Sequence, residues 1–163
     1  MKKFFAAAAL SLPVMSAHAL DGVSAEIGHG TRGTDMWRFG AQWQQPPPLL
    51  TGERWSFYWD ASLGRWESVT ADVWDAGLTP TLRYGGERGP YADGGIGFHL
   101  LSDTRISGLL EFSTRFQFGD HLGVGYRFDR YDVSLRLQHL SNAGIRNPNP
   151  GINFLQLRLQ YWF

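Results

Sequence analysis

The chain has 163 residues, no cysteine and a formal net charge of zero at neutral pH. The lack of cysteine excludes disulfide bonds and thiolate chemistry, so any catalysis must use oxygen and imidazole groups. Because the charges balance and no basic face stands out, nucleic acid is disfavoured as a partner.

The first residues predict a secretory signal peptide. Two lysines precede an apolar run over Phe4–Val14, and Ala17-His18-Ala19 supplies a small-residue cleavage site. We expect cleavage after the second of these alanines, so that residues 1–19 form the signal peptide and residues 20–163 form one domain. No apolar stretch of that domain approaches the roughly 20 residues that a membrane-spanning helix needs.

Alternation of apolar and polar residues predicts eight β-strands, each with one apolar and one polar face. In chain order they cover Val23–Ile27, Trp37–Trp43, Trp55–Leu63, Ala76–Tyr84, Ile96–Leu100, Phe116–Phe128, Tyr131–Gln138 and Leu155–Phe163. A turn at Gly119-Asp120 would raise the number by one, but bacterial outer-membrane barrels have even strand numbers. We therefore interpret Phe116–Phe128 as a single strand.

The polar faces carry many charged residues, among them Glu26, Arg38, Asp60 and Arg136. That is too many for the dry core of a soluble sandwich, but it suits the polar interior of a membrane barrel. Aromatic residues make up 15% of the chain, and many lie at strand ends on the apolar faces, as in interfacial girdles. The predicted fold class is all-β, an eight-stranded antiparallel up-and-down transmembrane β-barrel. A barrel of this size is filled by its own side chains, which disfavours transport.

His139 and Ser141 end the seventh predicted strand, at positions that continue its apolar, lipid-facing series. Ionisable groups in contact with hydrocarbon are costly and are therefore functional candidates. An even strand number leaves both termini in the periplasm, so the pair is expected high on the wall, facing the outer leaflet of the bacterial outer membrane.

Residues two apart in a strand share a face, so His139 can accept the proton of Ser141 and activate it as a nucleophile. Asn153, on the last strand, can lie beside His139 and accept its Nδ1 proton, but an amide cannot compensate the imidazolium charge. Candidate oxyanion donors are the side chains of Asn142 and Asn149 and the backbone N–H groups of Ala143 and Gly144.

The segment from His139 to Gly151, HLSNAGIRNPNPG, closely resembles the signature of the lipid A 3-O-deacylase family (PagL). The resemblance is dense in this segment and extends more thinly over the rest of the chain. It implies an outer-membrane barrel that hydrolyses the ester-linked 3-hydroxyacyl chain at position 3 of lipid A. It also implies Ser141 as the nucleophile, His139 as the base, and no metal or other cofactor.

One position departs from this family's pattern. The third catalytic residue of the family is a glutamate, and the position that matches it here is Asn153. The outer-membrane phospholipase A family, a larger calcium-dependent barrel, resembles this arrangement in having a His-x-Ser pair with Asn as third member. A loop carboxylate such as Glu67 or Asp75 is an alternative third member.

Two other functions stay open at this point. The first is a phospholipase acting on outer-leaflet glycerophospholipid, and the second is an inert structural or adhesive barrel, suggested by the missing glutamate. Lipid A calls for a basic patch near the outer rim, and the predicted outer loops contain Arg32, Arg65 and Arg146.

The remaining histidines and acids are expected to have structural roles. His29, His99 and His121 lack metal-ligand spacing and are interpreted as interfacial or interior polar residues. We expect the carboxylates of the polar faces to pair with interior arginines; they are Glu26, Asp60 and Asp132.

Overall fold

The computed structural model describes residues 19–48, 50, 52–107 and 110–163. The predicted signal peptide, apart from its last residue, lies outside the described residues. Within the described ranges, no helix is long and apolar enough to cross a bilayer.

Eight strands close an antiparallel barrel in which the first strand pairs with the last. The barrel strands are β1 (Gly22–Gly30), β2 (Thr34–Gln45), β3 (Trp55–Glu67), β4 (Asp72–Gly85), β5 (Gly89–Leu101), β8 (Phe116–Phe128), β9 (Tyr131–Ser141) and β10 (Ile152–Trp162). Two short strands, β6 (Arg105–Ser107) and β7 (Leu110–Glu111), pair with each other between β5 and β8. The predicted fold class is confirmed, and β8 is one uninterrupted strand.

The outward face of the barrel is apolar, as the alternating pattern predicts. Leu122, Leu137 and Leu155 expose 75%, 65% and 55% of their surface, respectively. Because such a continuous apolar exterior is unfavourable in water, it fits the hydrocarbon of a bilayer.

The inward positions carry buried ion pairs that cross the lumen. Arg158 contacts Glu26 and also lies 2.7 Å from Asp60, while Arg136 lies 2.7 Å from Asp93. A buried charge costs several kcal/mol unless it is paired, so these contacts allow the charges to remain inside. The expected pairing of the polar-face carboxylates with interior arginines is therefore confirmed for Glu26 and Asp60.

The expected pairing with an interior arginine is also confirmed for Asp132, which lies 2.5 Å from Arg83. His99 and His121 are buried in the interior, and His99 Nδ1 lies 2.8 Å from Asp75 Oδ1. A void among the central charges has a volume of about 10 Å³, room for roughly one water molecule. The lumen is packed at this level.

One end of the barrel carries the connections at residues 31–33, 68–71, 102–115 and 142–151, and we call it the loop end. Here the lumen is closed by an apolar cluster in which barrel residues pack against the β6–β7 segment. The cluster is made of Met36, Trp66, Val73, Leu101, Ile106, Leu110, Phe112, Leu140, Ile152 and Phe154. It lies directly beneath the β9–β10 loop, because Leu140 and Ile152 border that loop.

Removing Arg158 should destabilise the barrel. The Arg158→Ala variant leaves Glu26 and Asp60 buried without their main partner, and we expect the free energy of unfolding to fall by about 3–5 kcal/mol. Urea unfolding in phospholipid vesicles measures this change. Arg88→Ala is the matched control: its ion pair with Asp129 is exposed, at 74% and 69% for the two side chains, and should contribute little. Equal effects of the two substitutions would contradict the stabilising role of the interior pairs.

Candidate functional site

Strand pairing brings His139 and Asn153 together on the outer wall. The register between β9 and β10 sets the two residues opposite each other, and His139 Nδ1 lies 2.7 Å from Asn153 Oδ1. Because an amide oxygen only accepts hydrogen bonds, Nδ1 carries the proton and Nε2 presents its lone pair. Asn153 therefore fixes the tautomer that a general base requires.

The backbone of Asn153 is held by the turn between β1 and β2. Thr31 N–H donates to Asn153 O at 2.8 Å, and Asn153 N–H donates to Thr31 Oγ1 at 3.3 Å. Asn153, which orients the imidazole, is therefore held by β9 on one side and by the β1–β2 turn on the other.

Ser141 lies two residues after His139 on the same outer face, and both side chains are half-buried. Within the described part of the chain, the two side chains do not form a hydrogen bond with each other; Ser141 Oγ instead accepts one from Ala143 N–H at 3.4 Å. Hydrogen bonds between nucleophile and base commonly tighten only when substrate is bound. Asn153, His139 and Ser141 therefore follow one another on the wall in the sequence orienting residue, base and nucleophile that an activated serine needs.

Gly151 makes room for the imidazole. Its φ is +63°, and a Cβ placed on it would lie 2.7 Å from His139 Cε1. A side chain at this position would both strain the backbone and collide with the ring. Glycine is therefore required by the position of His139.

Two of the four oxyanion candidates are engaged within the loop itself. The buried Asn142 side chain accepts from Gly144 N–H at 2.9 Å, and it donates to Ser113 Oγ at 2.9 Å and to Arg146 O at 2.7 Å. In this arrangement the Asn142 amide and the Gly144 N–H hold the β9–β10 loop together.

The other two candidates are better placed to donate to a ligand. Ala143 N–H is directed at Ser141 Oγ. Asn149 Oδ1 accepts from Asn142 N–H at 3.0 Å, and within the described residues the Asn149 Nδ2 has no acceptor. Of the four candidates, these two therefore remain as possible donors to an oxygen that develops negative charge beside Ser141.

Ser113 is a site residue that the sequence did not reveal. Its Oγ accepts from Asn142 Nδ2 and donates to Arg146 O at 2.7 Å, so it ties the segment after β7 to the β9–β10 loop. The partners lie about thirty residues away in the chain, so no local pattern could have indicated the contact.

The proposed substitute acids do not lie near His139. Asp75 belongs to β4 rather than to a loop, so that expectation is wrong; it is buried and contacts Arg38 at 2.7 Å and His99. Glu67 ends β3, four strands from β9 around the barrel, and accepts a hydrogen bond from Trp37 at 3.3 Å.

A different carboxylate is adjacent to the imidazole. Asp120 of β8 pairs with His139 in the strand register, so it flanks His139 on the side opposite Asn153. It occupies an outward position in an apolar series, which is the same signal that singled out His139. Alternation along one strand does not give the register between strands, so the sequence alone did not place Asp120 beside His139.

A surface groove of about 710 Å³ lies beside His139. Its apolar wall is a row of leucines from β8, β9 and β10, namely Leu122, Leu137 and Leu155, and Arg32 of the β1–β2 turn also lines it. Such a groove can take a hydrocarbon chain on its leucines and an anionic headgroup near its arginine. No group of three or more His, Asp or Glu side chains in the described part of the chain is arranged to hold a metal ion.

Known proteins share this architecture and sequence. The family model for "Lipid A 3-O-deacylase (PagL)" matches residues 37–162. The lipid A deacylase PagL of Bordetella bronchiseptica is 35% identical over 131 residues, which cover 78% of this chain and 70% of that protein. The enzyme of the same name from Pseudomonas aeruginosa is 33% identical over 174 aligned positions, covering 96% of both proteins. A crystal structure of the outer membrane enzyme PagL superposes with a TM-score of 0.78 at 27% identity, covering 87% of this chain and 99% of the other.

Adding a methyl group at Gly151 should displace the imidazole. Because the new Cβ would clash with His139 Cε1, we expect Gly151→Ala to lower the rate of ester hydrolysis by about a hundredfold, as for other misplacements of about 1 Å. Gly89→Ala is the control, since Gly89 also has a positive φ, of +100°, but no atom lies within 4 Å of the place where its Cβ would be. Steady-state rates of the two folded variants make the comparison. A fully active Gly151→Ala enzyme would contradict the close packing on His139.

Proposed function

The chain belongs to the lipid A 3-O-deacylase (PagL) family, and from this membership we propose that it is an outer-membrane serine esterase. Its substrate is lipid A, and the bond that it cleaves is the ester of the 3-hydroxyacyl chain at position 3. The observation that carries the proposal is the His139–Asn153 hydrogen bond beside Ser141 on an apolar outer wall.

The site faces the outer leaflet in this proposal. An even number of strands leaves both termini in the periplasm, and the loop end, with His139 and Ser141, is then at the cell surface. Outer-leaflet lipid can reach the pair by lateral diffusion, because the pair lies on the outside of the barrel and not in the lumen. The mature domain is residues 20–163.

The reaction begins when His139 Nε2 takes the proton of Ser141 as Oγ attacks the acyl carbonyl carbon. The oxygen of the tetrahedral intermediate is stabilised by Ala143 N–H and the Asn149 amide. As the intermediate collapses, the bond between the carbonyl carbon and the sugar oxygen breaks, and His139 returns the proton to that oxygen. Water, deprotonated by His139, then attacks the acyl-enzyme and releases the 3-hydroxy fatty acid and Ser141.

Charge at the loop end supports lipid A over a neutral lipid. Arg32 and Arg146 are exposed in the connections at this end. The expectation that Arg65 lies in a loop is wrong, because it belongs to β3 and is paired with Asp72. Guanidinium groups bind phosphate well, and lipid A carries phosphate on its sugars. The acyl chain that is removed would lie along the leucine row of the groove.

Mass spectrometry of lipid A from cells producing each variant tests the proposal. Wild type should remove one 3-hydroxyacyl chain, and Ser141→Ala should remove none, a loss of at least about a thousandfold. Asn153→Ala should lose about a hundredfold or more, because the imidazole is no longer held in one tautomer. Asn153→Glu should be at least as active as wild type, since it restores the acid found in the family.

The same cells distinguish the other functions. Heat-modifiable migration on electrophoresis first establishes that each variant is a folded barrel. Hydrolysis of glycerophospholipid with unchanged lipid A would indicate a phospholipase. No difference in any lipid between wild type and Ser141→Ala would indicate an inert barrel. Either result would overturn the proposed function.

A further inference from the structure

Asp120 interrupts an apolar surface. Its outward neighbours along β8 are Phe118 and Leu122, and further outward positions of the strand are also hydrophobic. Asp120 is exposed, and within the described residues its side chain makes no hydrogen bond or ion pair. A carboxylate on a lipid-facing wall is costly, and nothing in the described part of the barrel compensates it. A functional role for Asp120 would explain why a carboxylate occupies this position.

The strand registers set Asp120, His139 and Asn153 in one row across β8, β9 and β10, with the imidazole in the middle. Directly opposed residues of antiparallel strands have their Cβ atoms about 4.5–5.5 Å apart. An opposite charge within about 4–6 Å stabilises a charged group even without a hydrogen bond. Asp120 and His139 therefore extend from directly opposed positions on the same face of adjacent strands.

The row divides two tasks that one acid performs in a serine triad. Such an acid holds the tautomer of the histidine and also stabilises the imidazolium that forms during attack. Asn153 performs the first task through its Oδ1, but it is neutral and cannot perform the second. We propose that Asp120 supplies the negative charge that stabilises the His139 imidazolium, acting as a positioning residue while Asn153 orients the ring. This inference rests on the proposed function.

The other groups around His139 do not supply that charge. Ser141 and Gly151 are neutral neighbours on β9 and in the β9–β10 loop. Across the groove, the β1–β2 hairpin contributes Arg32, which is cationic, and His29, whose Nδ1 lies 2.6 Å from Asp35 Oδ1. Two residues pair with His139 in the strand registers, Asp120 and Asn153, and of these only Asp120 is charged.

A double-mutant cycle on the purified full-length barrel, reconstituted in vesicles containing lipid A, tests the inference. Asp120→Asn should lower kcat by about ten- to a hundredfold with little change in KM, because the charge acts on the transition state.

In the Asn153→Glu background the new carboxylate supplies the charge, so Asp120→Asn should then cost less than about threefold. Glu111→Gln is the control for charge at the loop end. It removes an exposed carboxylate of β7, and kcat should stay as in wild type.

Two results would overturn the inference while leaving the proposed function intact. One is a rise in KM on Asp120→Asn with unchanged kcat, which would indicate a direct contact with substrate. The other is an equal loss in both backgrounds. Absence of deacylation in wild type, or its persistence in Ser141→Ala, would instead overturn the proposed function and the inference with it.

Discussion

The pairing of buried charges across the lumen is the constraint on which the rest of this barrel depends. A closed sheet of eight strands has little interior space, yet its inward positions hold Arg158, Arg136, Glu26 and their partners, nearly all removed from water. Each charge remains there because an opposite charge from another strand meets it. With the charged residues paired inside, the outward positions are left to apolar side chains, and the barrel can lie in hydrocarbon. The few polar residues on that outer wall are therefore the functional candidates.

Those few polar residues are positioned by strand register rather than by a cleft. The β9–β10 and β8–β9 pairings fix Asn153 and Asp120 on the two sides of His139, so backbone hydrogen bonds of the barrel determine the spacing of the row. Ser141 belongs to the same strand as His139, and the loop that follows it is held by Asn142 and Ser113. A rigid sheet thus provides the precision that enclosed enzymes obtain from a packed core.

Sequence reasoning succeeds here where the controlling physics is local. Alternation with a period of two identifies each barrel strand and both of its faces, and it predicts that His139 and Asn153 lie on the outside. It fails where distant pairing decides. The register between β8 and β9, which sets Asp120 opposite His139, is one example, because alternation along a single strand does not give its alignment with a neighbour. The β6–β7 segment likewise exists because its apolar residues pack into the loop end of the lumen, which no local pattern reveals.

The apolar cluster at the loop end also determines the path of water. Trp66, Leu140 and the residues packed around them close the lumen beneath the β9–β10 loop, and the void among the central charges holds room for about one water molecule. Under the proposed function, the water that frees Ser141 must then come from the headgroup layer, over the surface that the sugar occupies. The shortened lipid must then leave before water can reach Ser141, because both use the same side of the protein. On the proposed mechanism, the lifetime of the acyl-enzyme then depends on how fast the sugar leaves the membrane surface.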